Sequence, residues 1–323
     1  MKKHLSLIII SAMIASLLYG CGGGSSAGTA NDAPAAETAE TQQASEEQEA
    51  EASPAEASSA GTGEENGAPT GFKAVGYTSY RSDGSLRIKC VNDPLYGDYL
   101  VFIQYYPSEG CYTVDLVEKE IDGDGKWTGS TIYSVSDVKE VDPDNLDVYK
   151  TEENITGTDR CTYSDEGLVV ERYDSSGNVT VVNTYNNQNQ LLLSQSFNQG
   201  EESNRVEYTY DEHGFMSRTI VGHSDSEEKI YTDYIPIGAV SFMVRTGFEG
   251  AEHADEETEL HYDENGTLTG ATNYQYYGQG TEPSYTIEYT FELDEYGNLI
   301  RDTAKTEDGE TAVREWDILP IYE

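Results

Sequence analysis

Ile287-Glu288-Tyr289-Thr290-Phe291-Glu292-Leu293-Asp294-Glu295-Tyr296-Gly297 contains both signals that decide the fold of this chain. Its first seven residues alternate between apolar and polar side chains, a period of two that places each set on its own face of a β-strand. Asp294 and Gly297 then predict a tight turn, because Asp accepts a backbone N–H two residues on and Gly tolerates positive φ. The stretch therefore predicts a strand that leads into a β-hairpin.

The same combination of strand and turn recurs along the chain. Further copies of the turn are Tyr173-Asp174-Ser175-Ser176-Gly177, Tyr210-Asp211-Glu212-His213-Gly214 and Tyr262-Asp263-Glu264-Asn265-Gly266. The 25 tyrosines suit a pleated surface, and no long window shows helical periodicity. We predict an all-β protein of antiparallel β-hairpin repeats, in an open meander sheet or a sandwich-like arrangement. Local signals do not fix how the sheet closes.

The hairpins resemble those of the YD-repeat (Rhs-type) proteins of bacterial surfaces. The similarity rests on Tyr173 to Val179, Tyr210 to Phe215, Tyr262 to Leu268 and Asp294 to Leu299. It implies a β-hairpin architecture and a surface context. Large members of that family wrap a shell around a toxin, whereas this chain has too few repeats to enclose a cargo.

The N-terminus has the order of a secretory signal, with Lys2 and Lys3 followed by an apolar run. Leu18-Tyr19-Gly20-Cys21 resembles the lipobox of bacterial lipoproteins. The resemblance implies cleavage after residue 20, lipid attachment at Cys21, and a place on the extracytoplasmic face of a bacterial cell membrane. An ordinary secretion signal with an incidental cysteine is the alternative.

Composition divides the remainder of the chain into four parts. Residues 21–70 begin with the lipidated cysteine and continue as an acidic tether without aromatic residues, which we expect to be disordered. Residues 71–158 form an N-terminal β region, whose polar end at 136–158 is interpreted as a boundary or linker. Residues 159–241 and 242–323 are interpreted as two tandem hairpin units, since Asp174 corresponds to Asp263 and Asp211 to Asp294.

Charge and motifs narrow the class of function. The formal net charge of −41 argues against nucleic acid as a partner. No catalytic constellation stands out, so we predict a non-enzymatic surface binding or scaffold protein. Its partners are the membrane, through the lipid, and a glycan, peptidoglycan or another envelope protein. An extracytoplasmic polysaccharide hydrolase using an unidentified carboxylate pair is the alternative, and a purely structural filler of the envelope is a third hypothesis.

Three cysteines remain after Cys21. Cys90 and Cys111 lie on neighbouring predicted strands and are the predicted disulfide pair, which leaves Cys161 as a thiol. One bridge is too few to be what holds a chain of this length together.

Two further groups of residues are candidate binding sites. Asp122 and Asp124 lie in an acidic loop suited to calcium, although a hairpin turn explains the same residues. We expect no other cofactor. A cluster of tyrosines offers a platform for sugars or partners, although cross-strand packing is the favoured explanation. The cluster consists of Tyr274, Tyr276, Tyr277 and Tyr285.

Overall fold

The computed structural model describes residues 69–97, 99–224, 226–251, 253–276 and 282–322. These residues form eighteen β-strands and two short 3-10 helices, at Leu146–Tyr149 and Glu152–Asn154. The strands are β1 (Gly71–Tyr80), β2 (Leu86–Asn92), β3 (Tyr99–Tyr106), β4 (Cys111–Ile121), β5 (Trp127–Val138), β6 (Ile155–Ser164), β7 (Gly167–Asp174), β8 (Val179–Tyr185), β9 (Leu191–Asn198), β10 (Glu201–Tyr210), β11 (Met216–His223), β12 (Lys229–Ile237), β13 (Val240–Phe248), β14 (Glu256–Tyr262), β15 (Leu268–Gln275), β16 (Tyr285–Leu293), β17 (Leu299–Thr306) and β18 (Thr311–Ile321). The predicted signal peptide, Cys21 and nearly all of the predicted tether lie outside the described residues.

The strands form one closed antiparallel barrel. Each strand pairs with the next along the chain, and β1 pairs with β18 from Gly71 opposite Ile321 to Tyr80 opposite Val313. The prediction of an open meander or sandwich-like sheet is therefore wrong. Closure pairs the first strand with the last, and the sequences of the individual hairpins do not predict that pairing. Closure satisfies the backbone groups that two open edges would leave unpaired.

The barrel has two rims, because the strands alternate in direction. We call proximal the rim where β1 begins and β18 ends, which also holds the connections that follow even-numbered strands. The distal rim holds the connections that follow odd-numbered strands. The Asp211 and Asp294 turns both lie at the proximal rim, whereas the Asp174 turn is distal and the Asp263 turn proximal. The predicted domain boundaries fall within β6 and β13, and the sheet runs continuously through both.

The repeated Asp turns have the geometry that the sequence predicts. In each, Asp Oδ1 accepts backbone N–H groups two and four residues on, at 2.8–2.9 Å. The glycine at the fourth position has a φ of 80 to 86°. The four turns begin at Asp174, Asp211, Asp263 and Asp294. One side chain therefore satisfies two N–H groups of each turn, which fixes where each of these hairpins reverses.

Side chains on the inward face pack across the barrel lumen. Phe242 of β13 meets Phe291 of β16, with ring centroids 5.1 Å apart, although two strands separate them in the sheet. Near the proximal rim, Ala239 N donates to Asn298 Oδ1 at 3.1 Å, which joins two turns across the lumen. The lumen is thus largely a packed core, as alternation on each strand requires when the barrel interior is filled by side chains.

A second apolar cluster lies on the outer face of the barrel. Ile103, Val114 and Leu116 are at most 2% exposed, yet they stand opposite in parity to the lumen-facing residues of β3 and β4. The connection between β5 and β6 covers them with Leu146 and Tyr149. The polar stretch interpreted as a linker therefore covers this outer patch instead of separating two domains.

Because of this cover, we predict that a large-to-small substitution on the outer face of the barrel lowers stability as a core substitution does. Leu116→Ala is expected to lower the free energy of unfolding by about 2–5 kcal/mol, because it leaves a cavity beneath the cover. Ile300→Ala, a matched change at an outward position that is 38% exposed, is expected to stay within about 0.5 kcal/mol. Urea unfolding measures both, and equal effects would contradict the outer core.

Closure of the barrel predicts a specific cross-link. Thr78 on β1 lies opposite Glu315 on β18, so the double variant Thr78→Cys with Glu315→Cys is expected to form a disulfide under mild oxidation. Peptide mapping without reductant detects it. Thr78→Cys combined with Glu292→Cys on β16 is the control and should stay reduced. An unlinked first pair would show that β1 and β18 do not meet.

Within the described residues, no helix is long and apolar enough to cross a membrane.

Candidate functional site in the barrel lumen

A cavity of about 490 Å³ interrupts the packed lumen towards the proximal rim. Its wall is formed by inward-facing residues of opposite sides of the barrel, including β1, β5 to β8, β10 and β18. Its volume lies in the range of small-molecule sites, roughly 300–1,000 Å³. We call it the lumen cavity.

Aromatic rings make up much of its wall. The chain contains two tryptophans, Trp127 and Trp316, and both line the lumen cavity. Trp127 Nε1 donates to Gly129 O at 2.8 Å, and Trp316 Nε1 donates to Asp302 Oδ2 at 2.8 Å. Because both indole N–H groups are satisfied by the protein, the rings contribute apolar surface to the wall. The other aromatic lining residues are Phe72, Tyr77, Tyr96, Tyr99, Tyr208, Tyr210 and Phe215.

An ion pair between β6 and β7 stands in this wall. Arg172 Nε lies 2.8 Å from Asp159 Oδ1 and its terminal NH2 lies 3.0 Å from Oδ2, a bidentate geometry. The Asp159 side chain is fully buried. Burial lowers the pKa of Arg172 to about 10, which leaves it charged at neutral pH. The pair is therefore electrically neutral as a unit.

A second neutralised pair lies close by. Lys119 Nζ is 3.4 Å from Asp93 Oδ2 and 3.5 Å from the centroid of the Trp127 ring. Its side chain is 6% exposed. The Lys119 cation therefore lies over the face of the indole, and the Asp93 carboxylate balances the charge of Lys119.

Two buried polar groups of the wall have no hydrogen-bond partner among the described residues. They are the Asn183 Oδ1 atom and the Tyr77 hydroxyl, on residues 7% and 3% exposed. Leaving such a group unsatisfied costs about 1–3 kcal/mol, so buried polar atoms are normally paired. Both residues line the lumen cavity through other atoms, since these two polar atoms themselves have almost no accessible surface.

The mouth of the lumen cavity lies between the β8–β9 and β10–β11 turns. Gln188, Gln190 and His213 line the cavity and also an adjoining open depression on the surface. Gln190 Nε2 donates to Gly214 O at 3.4 Å, a long hydrogen bond from one turn to the other. The mouth is thus framed by two hairpin turns joined by a weak contact.

The structure does not bring Cys90 and Cys111 together. Cys90 is buried on β2, where its Sγ donates to Asn92 Oδ1 at 3.2 Å. Cys111 is buried at the start of β4, with its Sγ 3.6 Å from Glu109 Oε2 and 3.8 Å from Asp137 Oδ1. Both are free thiols, as is Cys161. Glu109, Cys111 and Asp137 place potential ligand atoms within 4.8 Å of one another, and hydrogen bonding of the thiol accounts for that grouping.

Asp122 and Asp124 lie in the β4–β5 turn. Asp122 Oδ1 accepts the N–H groups of Asp124 at 2.9 Å and Lys126 at 2.8 Å, and Gly125 has a φ of 79°. These are the bonds of the other Asp turns. The hairpin turn therefore accounts for Asp122, and calcium binding there stays a prediction.

The predicted tyrosine cluster is divided between the two faces of the sheet. Tyr274 lies on the outer face and donates to Glu259 Oε2 at 3.2 Å. Tyr285 stands opposite Gln275, whose side chain is buried in the lumen. Tyr276 follows the end of β15, and Tyr277 lies outside the described residues. Tyr274 and Tyr285 do not form one platform.

The charged and amide residues of the lumen cavity were not predicted as site residues from the sequence. One signal was available, because Asp159, Arg172 and Asn183 are polar residues at positions whose parity points inward. Recognising that parity requires the register of each strand. Tyr77 and Trp316 come from β1 and β18, so closure is also needed to bring them to the wall.

Glu256, on β14, gives the interior a pH dependence. Burial raises the pKa of Glu256 to about 7. Since the folded protein then binds a proton more tightly than the unfolded chain, this group lowers stability as pH rises from about 4.5 to about 7. Glu256→Gln is expected to abolish that loss, which corresponds to up to about 3 kcal/mol at pH 8 and to nothing at pH 4.

Thermal unfolding at several pH values measures this effect. Glu257→Gln is the matched control, since Glu257 is the next residue, faces outward and pairs with Arg245. A Glu256→Gln protein whose stability falls with pH as steeply as that of the natural protein would contradict the assignment.

The sequence matches no protein-family model and no curated protein. Among solved structures, the chain is similar to a porin-like protein from Bacteroides uniformis, with 12% identity and a TM-score of 0.37, over 76% of this chain and 98% of that chain. It is also similar to a chain in the crystal structure of TcdB2-TccC3-Cdc42, with 14% identity and a TM-score of 0.23, over 76% of this chain and 15% of that chain. Both TM-scores are low, so neither likeness carries a functional argument.

Proposed function

We propose that this protein is a lipid-anchored binding protein of the bacterial envelope, non-enzymatic, whose barrel holds a small ligand in the lumen cavity. The observation that carries the proposal is a cavity of about 490 Å³ in an otherwise packed lumen, with a largely aromatic wall. A purely structural barrel gains nothing from such a cavity, since filling it with apolar side chains would be more stable.

The anchor is supported by the sequence. Leu18-Tyr19-Gly20-Cys21 follows a charged and an apolar segment in the order of a lipoprotein signal. The acyl chains on Cys21 would hold the protein at the extracytoplasmic face of the membrane, with residues 22–70 as the tether.

The outer surface of the barrel supports a position beside the membrane. Outward positions of β14 to β17 carry charged residues, among them Glu257, Glu259, Glu288, Glu292 and Lys305, all exposed. Strands that face lipid carry an apolar band there, and a charge at the bilayer midplane is costly. Tethering by the lipid and display of the barrel in water fit this surface.

The paired charges of the lumen support binding over catalysis. Asp159 is held by two hydrogen bonds from Arg172, and Asp93 by Lys119. Each of these carboxylates is paired with a cation, whereas a polysaccharide hydrolase needs one carboxylic acid that protonates the leaving group. The cavity wall offers no pair with that division of roles among its described residues.

Two measurements test the proposal. Cys21→Ser is expected to abolish labelling with palmitate and to release the protein from membranes. For the cavity, the full chain is purified in mild detergent and a library of small molecules is followed by tryptophan fluorescence, because Trp127 and Trp316 both line the cavity.

A plugged variant supplies the control for binding. Val181→Phe puts a larger side chain into the lumen cavity, where Val181 is 1% exposed, and is expected to abolish the fluorescence response. Ile300→Phe, on the outer face, should respond as the natural protein does. A library without any saturable response, or a response unchanged by Val181→Phe, would refute the proposed binding function.

A further inference from the structure

We infer that a second, smaller cavity inside the barrel binds a small monovalent anion such as chloride. This cavity has a volume of about 70 Å³ and lies towards the distal rim, where β1 ends and β2 and β18 begin. Its volume is several times the roughly 10–15 Å³ that one water molecule needs. We call it the distal cavity. It is a different site from the lumen cavity, and the inference does not depend on the proposed ligand there.

A β-bulge directs Arg87 into the barrel. Ser79 pairs with Ile88 and Tyr80 pairs with Leu86, so Arg87 is the extra residue of β2. A bulge of this kind commonly redirects one side chain. Arg87 lines the distal cavity, and burial lowers the pKa of its guanidinium. The bulge therefore brings a cation to the lumen side of the sheet.

Arg87 has no acidic partner of its own. Among the residues that the structure describes, it forms no ion pair and no hydrogen bond through its side chain. Tyr77, Glu310 and Arg314 act on it electrostatically. Glu310 is exposed in the β17–β18 turn, and its attraction does not offset the loss of water around Arg87, since the pKa falls. A desolvated cation without a paired anion is costly.

The other charges of the distal cavity do not balance Arg87. Arg314 Nε lies 2.9 Å from Asp302 Oδ2, and its terminal NH2 lies 3.2 Å from Oδ1. Trp316 Nε1 also donates to Asp302 Oδ2, at 2.8 Å. Both oxygens of Asp302 are thus engaged by these neighbours. The described lining therefore holds two guanidinium groups and one carboxylate, an excess that a single monovalent anion would neutralise.

Hydroxyl groups add hydrogen-bond donors to this lining. Ser79 stands opposite Arg314 in the β1–β18 ladder, and Thr258 lies further round the barrel wall. Thr258 Oγ1 accepts from Asn273 Nδ2 at 3.0 Å, which leaves its own proton to donate. Guanidinium and hydroxyl donors together suit an anion. The small volume admits a halide or nitrate and excludes a six-carbon acid such as gluconate.

The test is equilibrium dialysis of the full chain, in mild detergent at pH 6, against radiolabelled chloride in excess sodium gluconate. The gluconate holds the ionic strength constant and suppresses the uneven distribution of ions that the charge of the protein causes. Burial raises the pKa of Glu256 to about 7, so this acid keeps most of its proton at pH 6 and does not act as the counter-ion. We expect saturable binding of a single chloride ion per chain, with bromide and nitrate as competitors.

Matched variants connect chloride binding to the distal cavity. Arg87→Met keeps a long side chain but removes the charge, so it should abolish binding. Lys89→Met is the control, because it makes the same change in net charge on the same strand. Lys89 pairs with Thr78 and does not line the distal cavity, so this variant should bind chloride as the natural protein does.

Thermal unfolding supplies a second readout. In gluconate alone, Arg87→Met should be at least as stable as the natural protein, because it removes a cation without a partner. Above the dissociation constant, each tenfold increase in chloride should raise the unfolding midpoint of the natural protein by about 3–6 °C. The midpoint of Arg87→Met should not respond.

The outcomes separate this inference from the proposed function. Absence of chloride binding by the natural protein would overturn the inference and leave water as the occupant of the distal cavity. Binding that Arg87→Met leaves unchanged would overturn it as well, since the ion would then lie elsewhere. Tighter binding of sulfate than of chloride would contradict a monovalent ligand. Ligand binding in the lumen cavity is tested separately, by Val181→Phe.

Discussion

Pairing between β1 and β18 is the constraint on which the remainder of the molecule depends. Nine residue pairs join the two strands, and beyond them Thr70 donates through its N–H to Ile321 O at 2.8 Å. Without this ladder the chain would be a long meander with two unpaired edges. With it, one face of every strand lies towards the lumen, so the alternation along each strand divides its side chains between the lumen and the outer surface.

The interior combines apolar packing with a few fully paired charges. Asp302 binds Arg314 through two hydrogen bonds and also accepts the Trp316 indole N–H at 2.8 Å. Asp159 and Arg172 repeat the same bidentate pairing in the other half of the lumen. Trp316 donates to Asp302 and also lines the lumen cavity. A residue that helps to satisfy the buried Asp302 therefore also forms part of the proposed binding wall.

The sequence predicts the local elements of this fold well and its global arrangement poorly. The Asp turns are confirmed in detail, because a side chain that bonds to its own turn acts over four residues. Barrel closure and the outer cover over Leu116 depend on pairs far apart in sequence, for which alternation alone gives no partner. The lumen cavity was missed for the same reason: Tyr77, Asn183 and Trp316 come together only after the register and the closure are known. The cysteines show that nearness in sequence does not by itself predict a contact, since Cys90 and Cys111 belong to β2 and β4 and contact different neighbours.

The separation of the two closing strands bears on how the protein is made. Thr70 and Ile321 are 251 positions apart, so β1 has no partner from β18 until almost the whole chain has been synthesised. During that interval the growing sheet presents free edges, which are sites of misassembly between chains. The net charge of −41 acts on this unfinished state, because chains of like charge repel one another before the barrel has closed. Such a long-range final step also implies slow folding, with the last strand acting as the event that commits the chain to its native form.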